Sequence, residues 1–266
     1  MPYVQVPDPR LNAGKPGLSA DWVQIRDNQD FFNTQINDLL VSIGISGQSI
    51  ADDFASAAGT TGVSGATWTA STFGTGNLPA VVSEHSMELD SVGNTAGNRS
   101  TVIAVDAKIR IQKAEEYVAI MECRVKGISV SDDFFFIGWQ DVALAASAVA
   151  DNRTDCIAII NGSGGTGWRA ITAETAGGSD TSPADFGTFA NWHVIRLVVT
   201  CSATAGNRKV ESYLDGVLQD TFVTDANIPA EILRPAIGVE ADGTGVARHL
   251  HVDYAIFTFQ SRPLAA

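Results

Sequence analysis

Tyr213-Leu214-Asp215-Gly216-Val217-Leu218 reads as two short strands joined by a two-residue turn. Asp-Gly between apolar neighbours suits a primed turn, whose left-handed backbone matches the twist of the strands it joins. Working outward, Lys209–Leu214 and Val217–Val223 form the arms of this hairpin, and Trp192–Thr200 precedes it as a third β-branched segment. Strict alternation recurs in Val102-Ile103-Ala104-Val105-Asp106-Ala107-Lys108-Ile109-Arg110-Ile111 and in His249-Leu250-His251-Val252-Asp253-Tyr254. Such a period of two marks strands with one buried face. Further strands are expected at Val81–Leu89, Thr101–Ile111, Tyr117–Val125, Phe134–Trp139, Cys156–Ile160, Trp168–Thr172, Ile237–Val239 and Leu250–Phe259. About a dozen strands without helix-length segments between them predict a sandwich of two sheets. Gly162-Ser163-Gly164-Gly165-Thr166-Gly167 lacks the Lys and helix of a phosphate loop and is expected to be a hairpin connection. Ala143–Ala150 is either a helical turn or part of a loop.

The chain has 266 residues, 45% apolar and 18% charged, a composition that supports a large packed core. Its formal net charge is −13, and the basic residues form no cluster longer than a pair. Neither nucleic acid nor an anionic membrane is an expected partner of such a surface. Cys123, Cys156 and Cys201 are odd in number and lack metal-ligand spacing, which points to assembly in a reducing compartment. The N-terminus has no charged-then-apolar signal pattern, and no apolar run approaches the roughly 18 residues of a membrane span.

The first 50 residues follow a different pattern. Residues 1–18 hold Pro2, Pro7, Pro9 and Pro16 and read as an extended arm, with Tyr3, Val4, Val6 and Leu11 as its docking residues. Residues 19–43 then read as a helix. Ser19 is the N-cap, Leu18 and Val23 form a staple, and Gly44 closes the end. About 24 residues make a rod of roughly 36 Å. Trp22, Gln29, Ile36 and Ile43 fall at heptad position a, and Ile25, Phe32 and Leu39 at d. This stripe predicts a parallel bundle of several copies. Ile at a with bulky Phe at d favours a trimer, and Gln29 fixes its register. The alternative is an amphipathic helix packed on its own domain, and Val23, Phe31 and Leu40 off the stripe support it.

Trp192-His193-Val194-Ile195-Arg196-Leu197-Val198-Val199, Val210-Glu211-Ser212-Tyr213-Leu214-Asp215-Gly216, Ile228-Pro229, Leu233-Arg234-Pro235 and Val252-Asp253-Tyr254 occur in that order. Together they resemble the final strands of concanavalin A-like (laminin G-like) jelly rolls, including those of tailed-phage structural proteins. Asn12-Ala13-Gly14-Lys15-Pro16-Gly17 before the heptad helix resembles the N-terminal attachment segments of phage fibres, spikes and head appendages. The resemblance implies a mainly β protein: a jelly roll over 50–262, preceded by an anchoring arm over 1–18 and an oligomerising helix over 19–43. It also implies that Asp253 serves the fold as a hydrogen-bonding residue.

Candidate chemistry is sparse. Glycoside hydrolases of this fold carry Glu, an apolar residue, Asp, two residues and Glu on one strand. Glu88-Leu89-Asp90-Ser91-Val92-Gly93 comes nearest, but Gly93 stands where the second Glu should be. A retaining mechanism needs two carboxyl groups, so no catalytic residue is assigned. His249 and His251 share one strand face and could ligate a metal with Asp253, but no further ligand can be named from the sequence. Asp52-Asp53, Asp132-Asp133 and Asp242 lack the spacing of a calcium loop. No metal or cofactor is therefore expected. Trp68, Trp139, Trp168 and Trp192 are candidates for a sugar platform, although Trp192 opens a strand and is expected in the core.

The expected function is that of a non-enzymatic virion structural protein, assembled in the host cytoplasm. Its arm and helix would attach it to the major capsid protein or another virion protein. Its jelly roll would project as a capsid decoration or head appendage. The alternative is a tail fibre or receptor-binding protein whose sandwich binds a host-surface glycan.

Overall fold

The structure is a computed structural model that describes residues 47–52, 68–73, 80–82, 86–91, 99–104, 109–110, 116–128, 134–141, 155–161, 167–174, 178–229, 232–240 and 249–261. The chain divides into two compact units, 1–47 and 48–266, and the described strands belong to the second apart from Gly47 itself. The expected arm and helix, with Tyr3, Val4, Val6, Leu11, Trp22, Ile25, Gln29, Phe32, Ile36, Leu39 and Ile43, lie outside the described residues. So do Asp53, Asp132, Asp133, Asp242 and the segment 143–150.

Sixteen strands are described: β1 (Gly47–Asp52), β2 (Trp68–Phe73), β3 (Ala80–Val82), β4 (Ser86–Asp90), β5 (Arg99–Ala104), β6 (Ile109–Arg110), β7 (Tyr117–Ile128), β8 (Phe134–Gln140), β9 (Cys156–Asn161), β10 (Trp168–Glu174), β11 (Gly178–Thr181), β12 (His193–Cys201), β13 (Lys209–Leu214), β14 (Val217–Phe222), β15 (Ile232–Glu240) and β16 (His249–Ser261). They form two sheets. The first runs β14-β13-β12-β7-β16-β4-β3, with β1 also on β16; the second runs β11-β10-β9-β8-β15-β5-β2, with β6 also on β15. The expected two-sheet sandwich is the architecture found. The expected strand over 81–89 is instead two strands, β3 and β4, which pair with each other as Val82↔Ser86. The expected strand over 101–111 is β5 and β6, both laid along β15. Asn161 pairs with Trp168 across β9 and β10, so the glycine-rich segment does join two neighbouring antiparallel strands.

The core lies between the sheets. Met121, Cys123, Val125, Ile195, Leu197, Val199, Leu250, Val252 and Phe257 come from the first sheet, and Trp68, Phe135, Ile137, Trp139, Ile157, Ile159, Trp168 and Val239 from the second. The ring of Phe257 packs 6.0 Å from Trp68 and 5.7 Å from Trp139. Trp168 meets Phe189 at 4.8 Å, edge to face. Such aromatic pairs add to simple area burial. In the second sheet, β8 and β9 are buried on both faces, where Phe136, Cys156, Ala158, Ile160 and Ala236 form a second cluster. The sequence carries this as continuous apolar runs rather than alternation, the pattern of a strand covered on both sides.

The first sheet has one face in the core and one outside it. Along β7, Ala119, Met121, Cys123 and Val125 point inward, while Val118, Ile120, Glu122, Arg124 and Lys126 stand on the half-buried outer face. Strand β16 follows the same rule with one interruption. Its register against β7 shifts between Val252 and Tyr254, leaving Asp253 as an extra bulged residue. Leu250 and Val252 before the bulge, and Ala255 and Phe257 after it, therefore all reach the core.

Candidate functional site on the outer face of the first sheet

Strand pairing assembles a patch from residues far apart in sequence. On β16, His249 lies opposite Asp90 and His251 opposite Glu88 of β4. On its other side, β16 places His251 opposite Lys126 and Tyr254 opposite Arg124 of β7. β12 flanks β7 in turn, and Trp192 immediately precedes it.

The β4 side of the patch is a carboxylate–imidazole cluster. His249 Nδ1 lies 3.0 Å from Glu88 Oε1 and 3.9 Å from Asp90 Oδ1. His251 Nε2 lies 3.0 Å from the other carboxylate oxygen of Glu88, Oε2. Glu88 is thus held between two imidazoles. Partial burial holds His251 below the usual imidazole range, and the charges of His249 and Lys126 act in the same direction, against the pull of Glu88. Glu88, Asp90 and His249 place one potential ligand atom each within 4.8 Å of the others.

The β7 side combines an aromatic ring with an ion pair and a hydrogen bond. Arg124 Nη1 reaches Asp253 Oδ2 at 2.6 Å, and its guanidinium carbon lies 4.8 Å from the centroid of the Trp192 ring. The rings of Trp192 and His251 meet in a T-shaped arrangement, with centroids 6.4 Å apart. Beyond Arg124, Tyr254 donates to Glu122 Oε1 at 3.1 Å. Burial raises the Tyr254 hydroxyl well above its usual range, and the negative charge of Glu122 reinforces it.

The expected site residues fare unequally. Trp68, Trp139 and Trp168 are core residues. Trp192, expected in the core, is instead half-buried on the outer face, because it stands one residue before β12 and packs across Arg124. Asp253 does act in the fold, as the bulge residue paired with Arg124. His249 and His251 share one face as expected, and the neighbouring β4 brings Glu88 and Asp90 beside them, partners that sequence distance conceals. Glu88 and Asp90, the near-match to a hydrolase motif, serve this cluster; Gly93 lies outside the described residues. Glu122, Arg124, Lys126 and Tyr254 were not singled out by sequence reasoning. For Glu122, Arg124 and Lys126 the signal was present in β7, where Glu, Arg and Lys recur at every second position.

No family model matches the chain, and no curated protein matches it. Solved structures do. An endo-1,3-beta-glucanase from Streptomyces sioyaensis superposes with a TM-score of 0.55 at 12% identity, covering 81% of this chain and 97% of that one. Peanut lectin gives 0.54 at 11% identity, covering 82% and 99%. A protein of unknown function from Shewanella oneidensis gives 0.54 at 14% identity, covering 83% and 90%. The second unit therefore shares the two-sheet jelly-roll sandwich fold of these proteins. At these identities the likeness carries the fold alone, and both an enzyme and a lectin share it.

Proposed function

We propose that this protein is a non-enzymatic virion component of a tailed bacteriophage that binds a glycan on the outer face of its first sheet. The observation that carries the binding reading is Trp192. Unlike Trp68, Trp139 and Trp168 it is on the outer face, with Arg124 against its ring and His251 in a T-shaped contact with it. An aromatic body flanked by planar donors and by the Glu88 and Asp90 acceptors suits a polyhydroxylated ligand, which needs apolar contact and fixed hydrogen bonds together. The non-enzymatic part is supported by the missing second carboxyl at Gly93 and by Glu88 being engaged through both oxygens. The virion part rests on the proline-rich arm and heptad helix, which would join copies as a trimer and multiply weak contacts by multivalency.

The test is a glycan array probed with the full chain and with Trp192→Ala. Binding by the wild type, reduced about tenfold by a loss of roughly 1.4 kcal/mol in the variant, supports the reading. A wild type that binds no glycan, yet co-sediments with phage capsids through residues 1–18, overturns it in favour of a capsid decoration or head appendage. Turnover of a polysaccharide that is lost in Glu88→Gln overturns the non-enzymatic part.

A further inference from the structure

The turn between β13 and β14 is built on a chemically labile pair, Asp215-Gly216. Glycine puts no side chain in the way of an attack by its own nitrogen on the preceding carboxyl. We propose that Asp215-Gly216 is a latent site of isoaspartate formation, and that His193 at the start of β12 is the residue that holds it closed. The proposal is independent of what the outer face of the first sheet binds.

The reaction is spontaneous and exchanges nothing but water. The Gly216 nitrogen loses its proton and bonds to Asp215 Cγ, while one carboxyl oxygen departs as water. The five-membered imide then takes up water at the backbone carbonyl carbon of Asp215. The bond from that carbon to the Gly216 nitrogen breaks, and the chain now runs through Cβ and Cγ. The first step needs a protonated carboxyl, because an ionised carboxylate resists attack and cannot release water.

Contacts to β12 oppose both protonation and attack. Asp215 N–H donates to the Val194 carbonyl at 2.8 Å. Asp215 Oδ1 accepts from Val194 N–H at 2.8 Å, and Oδ2 lies 2.7 Å from His193 Nδ1. Whichever oxygen leaves, one of the two carboxylate contacts breaks. Hydrogen bonds to the ionised form also disfavour the protonated one. The His193 side chain is only 14% exposed, against 52% for Asp215, so the latch is anchored on its buried side. His193 Nε2 is sealed from solvent without a hydrogen-bond partner, so the proton of the neutral ring belongs on Nδ1, beside Asp215. Gly187 backs the ring: a Cβ there would stand 3.5 Å from His193 Nε2 and 2.7 Å from Leu214 Cδ2. Gly216, by contrast, faces open space, with nothing within 4 Å of where a Cβ would stand, so water reaches the imide. Of the two donors to the carboxylate, only His193 is a side chain, and a substitution there tests the latch. Rearrangement would add one backbone atom to a two-residue turn and loosen Leu214 and Phe222, which are buried on the arms of the hairpin.

The experiment incubates the full chain at mildly acidic pH beside the same chain unfolded in urea. Isoaspartate at residue 215 is quantified by electron-transfer fragmentation of its peptide, separately from the second Asp-Gly pair of the sequence, Asp242-Gly243. The folded wild type is expected to react at least about 20-fold more slowly than the unfolded chain, because the turn reacts only when it opens locally. His193→Ala is expected to raise the folded rate about tenfold. His193→Asn, whose amide can donate from the place of Nδ1, is expected to stay within about twofold of wild type. Global unfolding contributes the unfolded rate multiplied by the unfolded fraction; urea denaturation of each variant gives that fraction, and the contribution is subtracted. The comparison of folded with unfolded wild type needs no variant. A folded wild type reacting within about twofold of the unfolded chain overturns the proposal. So does a folded His193→Ala that reacts no faster than wild type, which would leave His193 and Asp215 as a surface ion pair alone.

Discussion

Asp215 has a φ of 49° and Gly216 a φ of 80°, the two left-handed residues of the primed turn between β13 and β14. The Asp215 side chain then reaches back to the start of β12. It accepts from Val194 N–H at 2.8 Å and lies 2.7 Å from His193 Nδ1. Partial burial pushes its carboxyl up, but the His193 contact, the Val194 N–H and the charge of His193 together hold it below the usual range. A carboxyl lowered on folding stabilises the native state above its unfolded pKa of about 3.9, and that contribution is lost as pH falls through the folded value. Asp215→Asn keeps a residue that tolerates the left-handed backbone. It is expected to destabilise by under about 1 kcal/mol at pH 7, given the exposure of the pair, and by progressively less below pH 4, as read by urea unfolding across pH. Gly138 is constrained differently. A Cβ there would stand 2.2 Å from the carbonyl oxygen of Ile157 and 2.6 Å from Cα of Ala158, both backbone atoms of β9. Gly138→Ala is therefore expected to destabilise by about 2 kcal/mol or more, measured by denaturant midpoint. The Asp215-Gly216 turn was legible in the sequence because turn chemistry is local. The Gly138 contact was not, because the close approach belongs to another strand.

At the scale of the element, β16 is the instructive case. The alternation of His249 to Tyr254 fixes which residues face out over its first half. A regular strand would continue that phase and turn Phe257 out of the core. The bulge at Asp253 resets it. Deleting Asp253 restores a regular strand with Leu250, Val252, Ala255 and Phe257 still inward, and removes one exposed ion pair. The deletion is expected to fold and to lose little more than about 1 kcal/mol. Deleting Ile256 instead leaves the bulge and turns Phe257 outward, away from Trp68 and Trp139. That variant is expected to lose several kcal/mol, of the order of a large aromatic truncation, and to melt far earlier by circular dichroism. The expected strands over 81–89 and 101–111 were each divided for a related reason. Apolar alternation marks where strands run, but the partner decides where pairing begins and ends: β4 pairs with both β3 and β16, while β5 and β6 share β15.

For the whole molecule, the described sandwich begins with β1 at Gly47, after the proposed arm and helix. Removing residues 1–43 is therefore expected to leave the far-ultraviolet β spectrum and cooperative melting intact, while sedimentation changes from a trimer to a monomer. A monomeric full-length chain would remove the proposed bundle. By itself the sequence determined the class of fold, most of the strand positions, the hairpin over 213–218 and the shared face of His249 and His251. These follow from periodicity and turn chemistry, which act over a few neighbouring residues. Only the tertiary structure decided the candidate site. Glu88 and His249 are 161 positions apart. Arg124 and Asp253 are separated by 129. The order β12-β7-β16-β4 makes them neighbours, and it is set by how two twisted sheets bury their apolar faces. Trp192 lies in the patch for the same reason: its place is decided by the strand it precedes and the arginine beside it, not by its own hydrophobicity.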